Sequence, residues 1–188
     1  KEAFGQDLVL KINPPTTDEI EFLKPCTYLV SALQINLRDK EYFKKLSEKK
    51  VNAIAFEFIV DEYKQLSLVR LIGEIAGNIS VLYAAELLAL SNGLMLGGIT
   101  GVRPTEVVIL GAGIVGEFAT KAAIGLGASV KVFDNSLSKL RRLHMMVDGR
   151  VPTSIIDPKE LGKCLKRADV VIGALSKISL APIVTEEM

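Results

Sequence analysis

The chain has 188 residues, 49% of them hydrophobic, with 23 basic against 22 acidic side chains and a formal net charge of +1. That balance excludes a disordered tail, a fibrous repeat, a disulfide scaffold and a basic nucleic-acid module, and the length suits one substantial domain or two small ones. With one His and two distant cysteines, Cys26 and Cys164, no multi-histidine or cysteine-rich metal site is expected. The two thiols and the polar opening Lys1-Glu2, which shows no signal leader, lead us to expect a cytoplasmic protein.

In chain order, Leu8-Val9-Leu10-Lys11-Ile12 reads as a buried strand stopped by Asn13-Pro14-Pro15. Thr17-Asp18-Glu19 opens a brief helix that Pro25 ends, and Tyr28 to Leu33 forms a second strand. Asp39 to Lys49 is an amphipathic helix, with Tyr42, Phe43 and Leu46 on one side and lysines on the other. Ala53 to Ile59 returns to strand, giving the rhythm of an α/β sheet covered by helices. Basic clusters such as Lys44-Lys45, Lys49-Lys50 and Arg141-Arg142 read as solvated helix faces.

Leu71 to about Ser91 reads as one long helix, apolar nearly all round, and is expected to be buried between two lobes. Ile79 to Ile99 contains Glu86, Asn92 and several glycines, so it fits a buried helix and a loop better than a membrane span. The glycines from Gly93 to Gly101 mark the expected domain junction, with domains at 1–92 and 93–188.

The sharpest signal follows. The apolar strand Glu106 to Leu110 runs into Gly111-Ala112-Gly113-Ile114-Val115-Gly116, then a helix to Leu126, then the strand Ser129 to Phe133 closed by Asp134. A bare G-x-G-x-x-G is weak. In this order and spacing it is the dinucleotide fingerprint of a Rossmann-like, doubly wound parallel sheet. The fold expected is therefore α/β, with that sheet beside part of a second α/β lobe. Gly111 permits the tight turn, Gly113 lets a pyrophosphate approach the backbone, and Gly116 lets the helix sit close to the sheet. Asp134 can accept the ribose hydroxyls and repel a 2′-phosphate, which favours NAD over NADP. A helix containing His144 follows, and this lone imidazole reads as structural or exposed. After a helix from Leu161 to Arg167, Asp169 to Leu175 reads as a strand ending in small residues. Gly173 and Ala174 either pass beside the cofactor or make a tight sheet-to-loop transition. The expected cofactor set is Gly111, Gly113, Ile114, Val115, Gly116, Asp134, Gly173, Ala174 and Leu175.

Gly97-Gly98 through Gly101-Val102-Arg103-Pro104, then Gly111-Ala112-Gly113, Leu126-Gly127-Ala128 and Asp134, resemble the alanine dehydrogenase and pyridine nucleotide transhydrogenase family. Arg167 to Ala174, Val184 to Met188, Leu10 to Pro14 and Glu74 to Gly77 extend the likeness over nearly the whole chain, and Gly97-Gly98 favours the alanine dehydrogenase branch. The resemblance implies a two-lobed, NAD-dependent homo-oligomer that converts L-alanine, NAD and water to pyruvate, ammonia and NADH. Its small-molecule partner is then an amino acid or oxo acid, with no nucleic acid. It also implies that family members carry a βαβ portion before the Lys11 strand and further strands after the Met188 region. The loop at Leu175-Ser176-Lys177-Ile178 is shorter than the family's.

Carried over residue by residue, the family's substrate lysine falls on Asn13, its catalytic histidine on Gln34 and a nicotinamide-side serine on Gly73. Lys11 matches the preceding, structural lysine, and either swings into substrate binding or faces a lobe surface. Asn13, Gln34 and Lys11 are thus the expected catalytic positions, although neither amide titrates near neutral pH. Transhydrogenases of the family also lack the lysine and histidine pair. Three alternatives therefore stay open: an NAD(H)-binding transhydrogenase subunit with a membrane partner, a catalytically silent NAD-binding protein, and a lysine-pathway dehydrogenase.

Overall fold

The computed structural model describes residues 2–175 and 182–185. Its contacts divide into two compact units, Lys1–Leu71 and Ile72–Met188.

In the first unit the apolar runs form a three-stranded, wholly parallel sheet in the order β1 (Leu8–Lys11), β2 (Tyr28–Ser31) and β3 (Asn52–Ala55). The β1–β2 crossover carries α1 (Thr17–Glu21), started by a capping box between Thr16 and Glu19. The β2–β3 crossover carries α2 (Lys40–Glu48), whose N-cap Asp39 accepts the Tyr42 N–H at 2.9 Å. One core of Val9, Ile20, Leu23, Leu29, Leu33, Tyr42 and Leu46 fills the space between sheet and helices. The third strand is shorter than the sequence suggests, because the chain tightens into a 3-10 turn at Phe56–Phe58.

In the second unit β4 (Glu106–Leu110), β5 (Ser129–Phe133), β6 (Thr153–Ser154) and β7 (Val170–Gly173) make a parallel sheet in the order β6-β5-β4-β7. Helices α4 (Ile114–Gly125), α5 (Leu137–Met146) and α6 (Pro158–Leu165) supply the crossovers. The central strand β4 is buried on both faces through Val107–Leu110, as its unbroken Val/Ile/Leu run requires, while β5 buries Val130, Val132 and Phe133 around a partly exposed Lys131. Two cores flank the sheet, one around Ile109, Val132 and Leu143, the other around Val108, Leu110, Phe133 and Leu161. This is the doubly wound, Rossmann-like arrangement expected for the glycine-rich half.

The long helix α3 runs from Ser67 to Asn92, and the division between units falls inside it. Gly73, Gly77, Val81 and Leu88 form its buried stripe. A Cβ on Gly77 would stand 2.8 Å from the Phe118 Cβ and 2.9 Å from the Ala119 amide, so only glycine admits α4 this closely. That packing assigns the helix from Ile72 onward, and the glycine-rich stretch after it, to the second unit. The expectation of burial all round is corrected here: Leu71, Ile72, Ile75, Ile79, Leu82 and Leu90 are exposed. By length and composition α3 is apolar enough to cross a membrane, but its small-residue stripe packs on α4.

Candidate functional site

The glycine-rich turn sits at the carboxyl end of β4, where a doubly wound sheet presents its ligand crevice. Gly111 has φ +118°, and its missing Cβ would strike the Ala174 carbonyl, so the position is closed to L side chains on both counts. Its N–H donates to Phe133 at 2.6 Å, and Ala174 N–H donates to Leu110 at 2.7 Å, which ties the ends of β5 and β7 to the turn. A Cβ on Gly116 would overlap the Gly111 carbonyl oxygen, so this glycine closes the turn onto the first coil of α4. Gly113 differs from both. It is the N-cap of α4 at φ −75°, with no capping side chain, and a Cβ there would meet nothing within 4 Å. The space a side chain would occupy lies open beside the first amides of the helix, which fits a diphosphate.

Asp134 follows β5 and is 4% exposed. Its Oδ2 accepts the Ala112 N–H and its Oδ1 the Ser136 N–H, each at 2.7 Å. The carboxylate therefore braces the glycine-rich turn and starts α5, in addition to standing where a ribose diol is expected. Ile114 and Val115 offer their backbone to the turn, while their side chains lie against Gly73 of α3. Gly173 is exposed with open space beside it, Ala174 packs against the turn, and Leu175 joins the core around Phe133. Residues 176–178 and 186–188, where the loop-length and terminal likenesses fall, lie outside the described residues.

In the first unit, Asn13 and Gln34 are both exposed, just past the carboxyl ends of β1 and β2. The Asn13 carbonyl accepts the Ser31 hydroxyl at 3.0 Å. Gln34 is left-handed, at φ 50° and ψ 51°, a conformation that disfavours a side chain. Glu57, just past β3, accounts for it: Oε1 accepts the Leu33 N–H at 2.8 Å and the Gln34 N–H at 2.7 Å. Its Oε2 is buried with no hydrogen-bond partner among the described residues. Glu57 was hidden in the sequence as one polar letter inside an apolar run. Lys11 is half-buried, and its Nζ lies 2.7 Å from Glu19 Oε2, inside the α1 capping box. Those contacts hold the Glu19 carboxyl below the ordinary carboxylate range, the Lys11 hydrogen bond most strongly.

Two further carboxylates, Glu117 and Asp169, hold partners that the sequence does not reveal. Glu117, on α4, is almost fully buried between Lys121 and Arg142, so the partly exposed Arg142 is also engaged with a buried carboxylate. Asp169, just before β7, takes both Nη atoms of Arg103 at 3.0 and 3.1 Å and the Glu106 N–H at 2.8 Å. These bonds, the Arg103 one above all, lower its pKa. His144 is exposed and lines a groove of about 420 Å³ between α5 and β6, away from the glycine-rich turn. Among the described residues no cluster of acids, histidines and cysteines could hold a metal ion.

Residues 1–76 match the N-terminal domain of the alanine dehydrogenase/PNT family, and residues 80–188 match its C-terminal domain. The chain belongs to this family. An alanine dehydrogenase of Staphylococcus saprophyticus is 35% identical over 192 residues, spanning 100% of this chain and 52% of that protein. A solved L-alanine dehydrogenase superposes with a TM-score of 0.82 at 31% identity, over 99% of this chain and 53% of the other. A transhydrogenase from Sinorhizobium meliloti superposes at 0.69 with 18% identity, over 92% of this chain and 51% of the other, a likeness of fold alone. The chain spans about half the length of these relatives.

Proposed function

We propose that this chain binds NAD at the Gly111–Gly116 turn and belongs to an oxidoreductase acting as alanine dehydrogenases do, on a small amino acid or its oxo acid. One observation carries the reading. The turn is open only at Gly113 and braced by a strand-end carboxylate, in a chain that aligns from end to end with alanine dehydrogenases. Bound NAD would supply the hydride acceptor, with water converting the oxidised substrate to pyruvate and ammonia. The chain's own part is recognition. The α4 amides and helix dipole hold the diphosphate, and Asp134 holds the ribose diol against a 2′-phosphate.

On the substrate side, Asn13 and Gln34 are assigned to orienting a carboxylate or carboxamide through their amides, without moving a proton. Lys11, engaged by Glu19, is assigned a structural role. A homo-oligomer in the cytoplasm is part of the same proposal. The amides at positions 13 and 34 also favour a second reading, in which the cofactor-bound chain exchanges hydride with NADP held by a partner subunit. Full-length protein given NAD and L-alanine tests the choice. NADH formation that depends on alanine supports the dehydrogenase. NADH binding without it, together with NADH-dependent reduction of partner-bound NADP, supports the second reading, and absence of NADH binding refutes both.

A further inference from the structure

Glu117 and Arg142 stand beside the glycine-rich turn yet belong to no part of the dinucleotide fingerprint. Glu117 lies in the first turn of α4, with its side chain 1% exposed. Lys121 Nζ donates to its Oε1 at 2.8 Å, and Arg142 Nη2 of α5 stands 3.5 Å from its Oε2. The same Nη2 donates to the Ala112 carbonyl at 3.4 Å. Glu117 Oε2 and Arg142 Nε are both buried without a hydrogen-bond partner among the described residues. An ion cluster built on a buried carboxylate with unsatisfied atoms contributes little net stability, because desolvation of that carboxylate offsets the attraction; what it fixes is geometry.

The geometry concerns Ala112. Its N–H is held by Asp134 Oδ2 at 2.7 Å and its carbonyl by Arg142, so the peptide planes on both sides of the residue are clamped. A trans peptide is planar, so fixing the Ala112 carbonyl aims the Gly113 N–H to the opposite side. Gly113 is the one member of the turn with open space beside it and the residue that begins α4. Charge points the same way. Glu117 alone, in the first turn, would repel an anionic ligand at this end of the helix, but Lys121 and Arg142 leave the trio with one net positive charge.

We propose that Arg142, anchored by Glu117, is a positioning residue of the diphosphate cradle: it sets the Ala112–Gly113 peptide for the cofactor without touching it. This rests on the NAD reading above. The test uses full-length wild type, Arg142→Met, Arg142→Lys and Glu117→Gln, titrated with NADH, ADP-ribose and adenosine, alongside hydrogen exchange of the cofactor-free protein. In Arg142→Met, NADH and ADP-ribose should weaken about tenfold, the loss of one charge-assisted contact, while adenosine, which lacks the diphosphate, binds as before. Amides 112–114 should exchange faster with the rest of the unit unchanged, and Arg142→Lys should recover part of the affinity. Unaltered ADP-ribose binding, or equal losses for ADP-ribose and adenosine, overturns the proposal. Should Arg142→Met fail to fold, Glu117→Gln, which keeps side-chain volume and releases Arg142, carries the same comparison. A wild type that binds no NADH overturns the cofactor reading instead, and exchange at 112–114 still decides whether Arg142 holds the peptide.

Discussion

Gly113 and Gly116 lie three residues apart in one motif, and the structure separates what alanine does at each. At Gly113 the backbone is at φ −75°, a Cβ meets nothing within 4 Å, and the residue is an N-cap without a capping side chain. Alanine is a poorer N-cap than glycine by roughly 0.5–1 kcal/mol, and the lower entropy of its unfolded chain returns about 0.4–1 kcal/mol. Gly113→Ala should therefore keep its stability to within about 1 kcal/mol. The new methyl does fill the approach to the α4 amides. Displacing a diphosphate from one charge-assisted hydrogen bond costs about 1.5–3 kcal/mol, so NADH should weaken about tenfold to a hundredfold. At Gly116 the Cβ would overlap the Gly111 carbonyl oxygen, a backbone atom that cannot rotate away. Forcing such an overlap costs about 1–3 kcal/mol or more, so Gly116→Ala should lower the urea midpoint before any ligand is added. Urea unfolding and NADH fluorescence titration on both variants give the contrast. Wild-type NADH affinity in Gly113→Ala, or a wild-type midpoint in Gly116→Ala, refutes the reasoning.

Asp134→Asn leaves one side-chain oxygen to serve two buried amides and turns an NH2 toward the other, so it should cost about 2–4 kcal/mol in urea unfolding; an unchanged midpoint contradicts the brace. In Asp134→Ser the preference for NADH over NADPH should narrow, and equal wild-type affinity for the two would remove Asp134 from selectivity. Asp169 has its pKa lowered, chiefly by Arg103, so its contribution is fully present above the ordinary carboxylate value and disappears as pH falls through the depressed one. Wild type should accordingly lose more stability than Asp169→Asn on acidification below about pH 5, and parallel stability curves would exclude the bond as a source of acid sensitivity. Gln34→His in the full-length protein should add a titration near pH 6.5 to any amino-acid-dependent rate, whereas a pH profile identical to wild type would take position 34 out of the chemistry.

The parts of the fold legible in the sequence are those whose cause is local. Val107 to Leu110 is apolar without interruption, Val130, Val132 and Phe133 are buried around a single lysine, and glycines at fixed offsets shape the turn between strand and helix. β6 was missed because nothing local makes it a strand. Two residues behind Pro152 pair with β5 in a short parallel ladder, flanked by Val132 N–H to the Pro152 carbonyl at 3.1 Å and Asp134 N–H to the Ser154 carbonyl at 3.2 Å. β3 was overrun for the opposite reason, since Ala53 to Ile59 looks like one strand until Glu57 reaches across to the backbone of β2's far end. The early start of α3 at Ser67 has a similar origin. Asp61 accepts the Gln65 N–H at 2.9 Å and the Ser67 hydroxyl at 2.6 Å, which shapes the entry before the apolar pattern begins. The exposed side of α3 shows the limit of composition, because an apolar letter reports only that burial is favourable.

Asp134 shows why a residue's place in a site can be legible while its energetics are not. Strand-end position and spacing from the glycines mark it as the proposed ribose acceptor, but the amides it already holds belong to residues 22 positions earlier and two later. An ionised carboxylate accepts only, with about four lone-pair sites. Ala112 and Ser136 use one on each oxygen, leaving one on each. Two hydroxyls of a ribose diol match that remainder without displacing either amide. On the proposed reading the turn is braced before the cofactor arrives and would stay braced afterwards, so binding would not carry the cost of ordering the loop. An amide at this position should weaken both the brace and the diol contact, whereas a methyl at Gly113 should leave the brace and obstruct only the diphosphate.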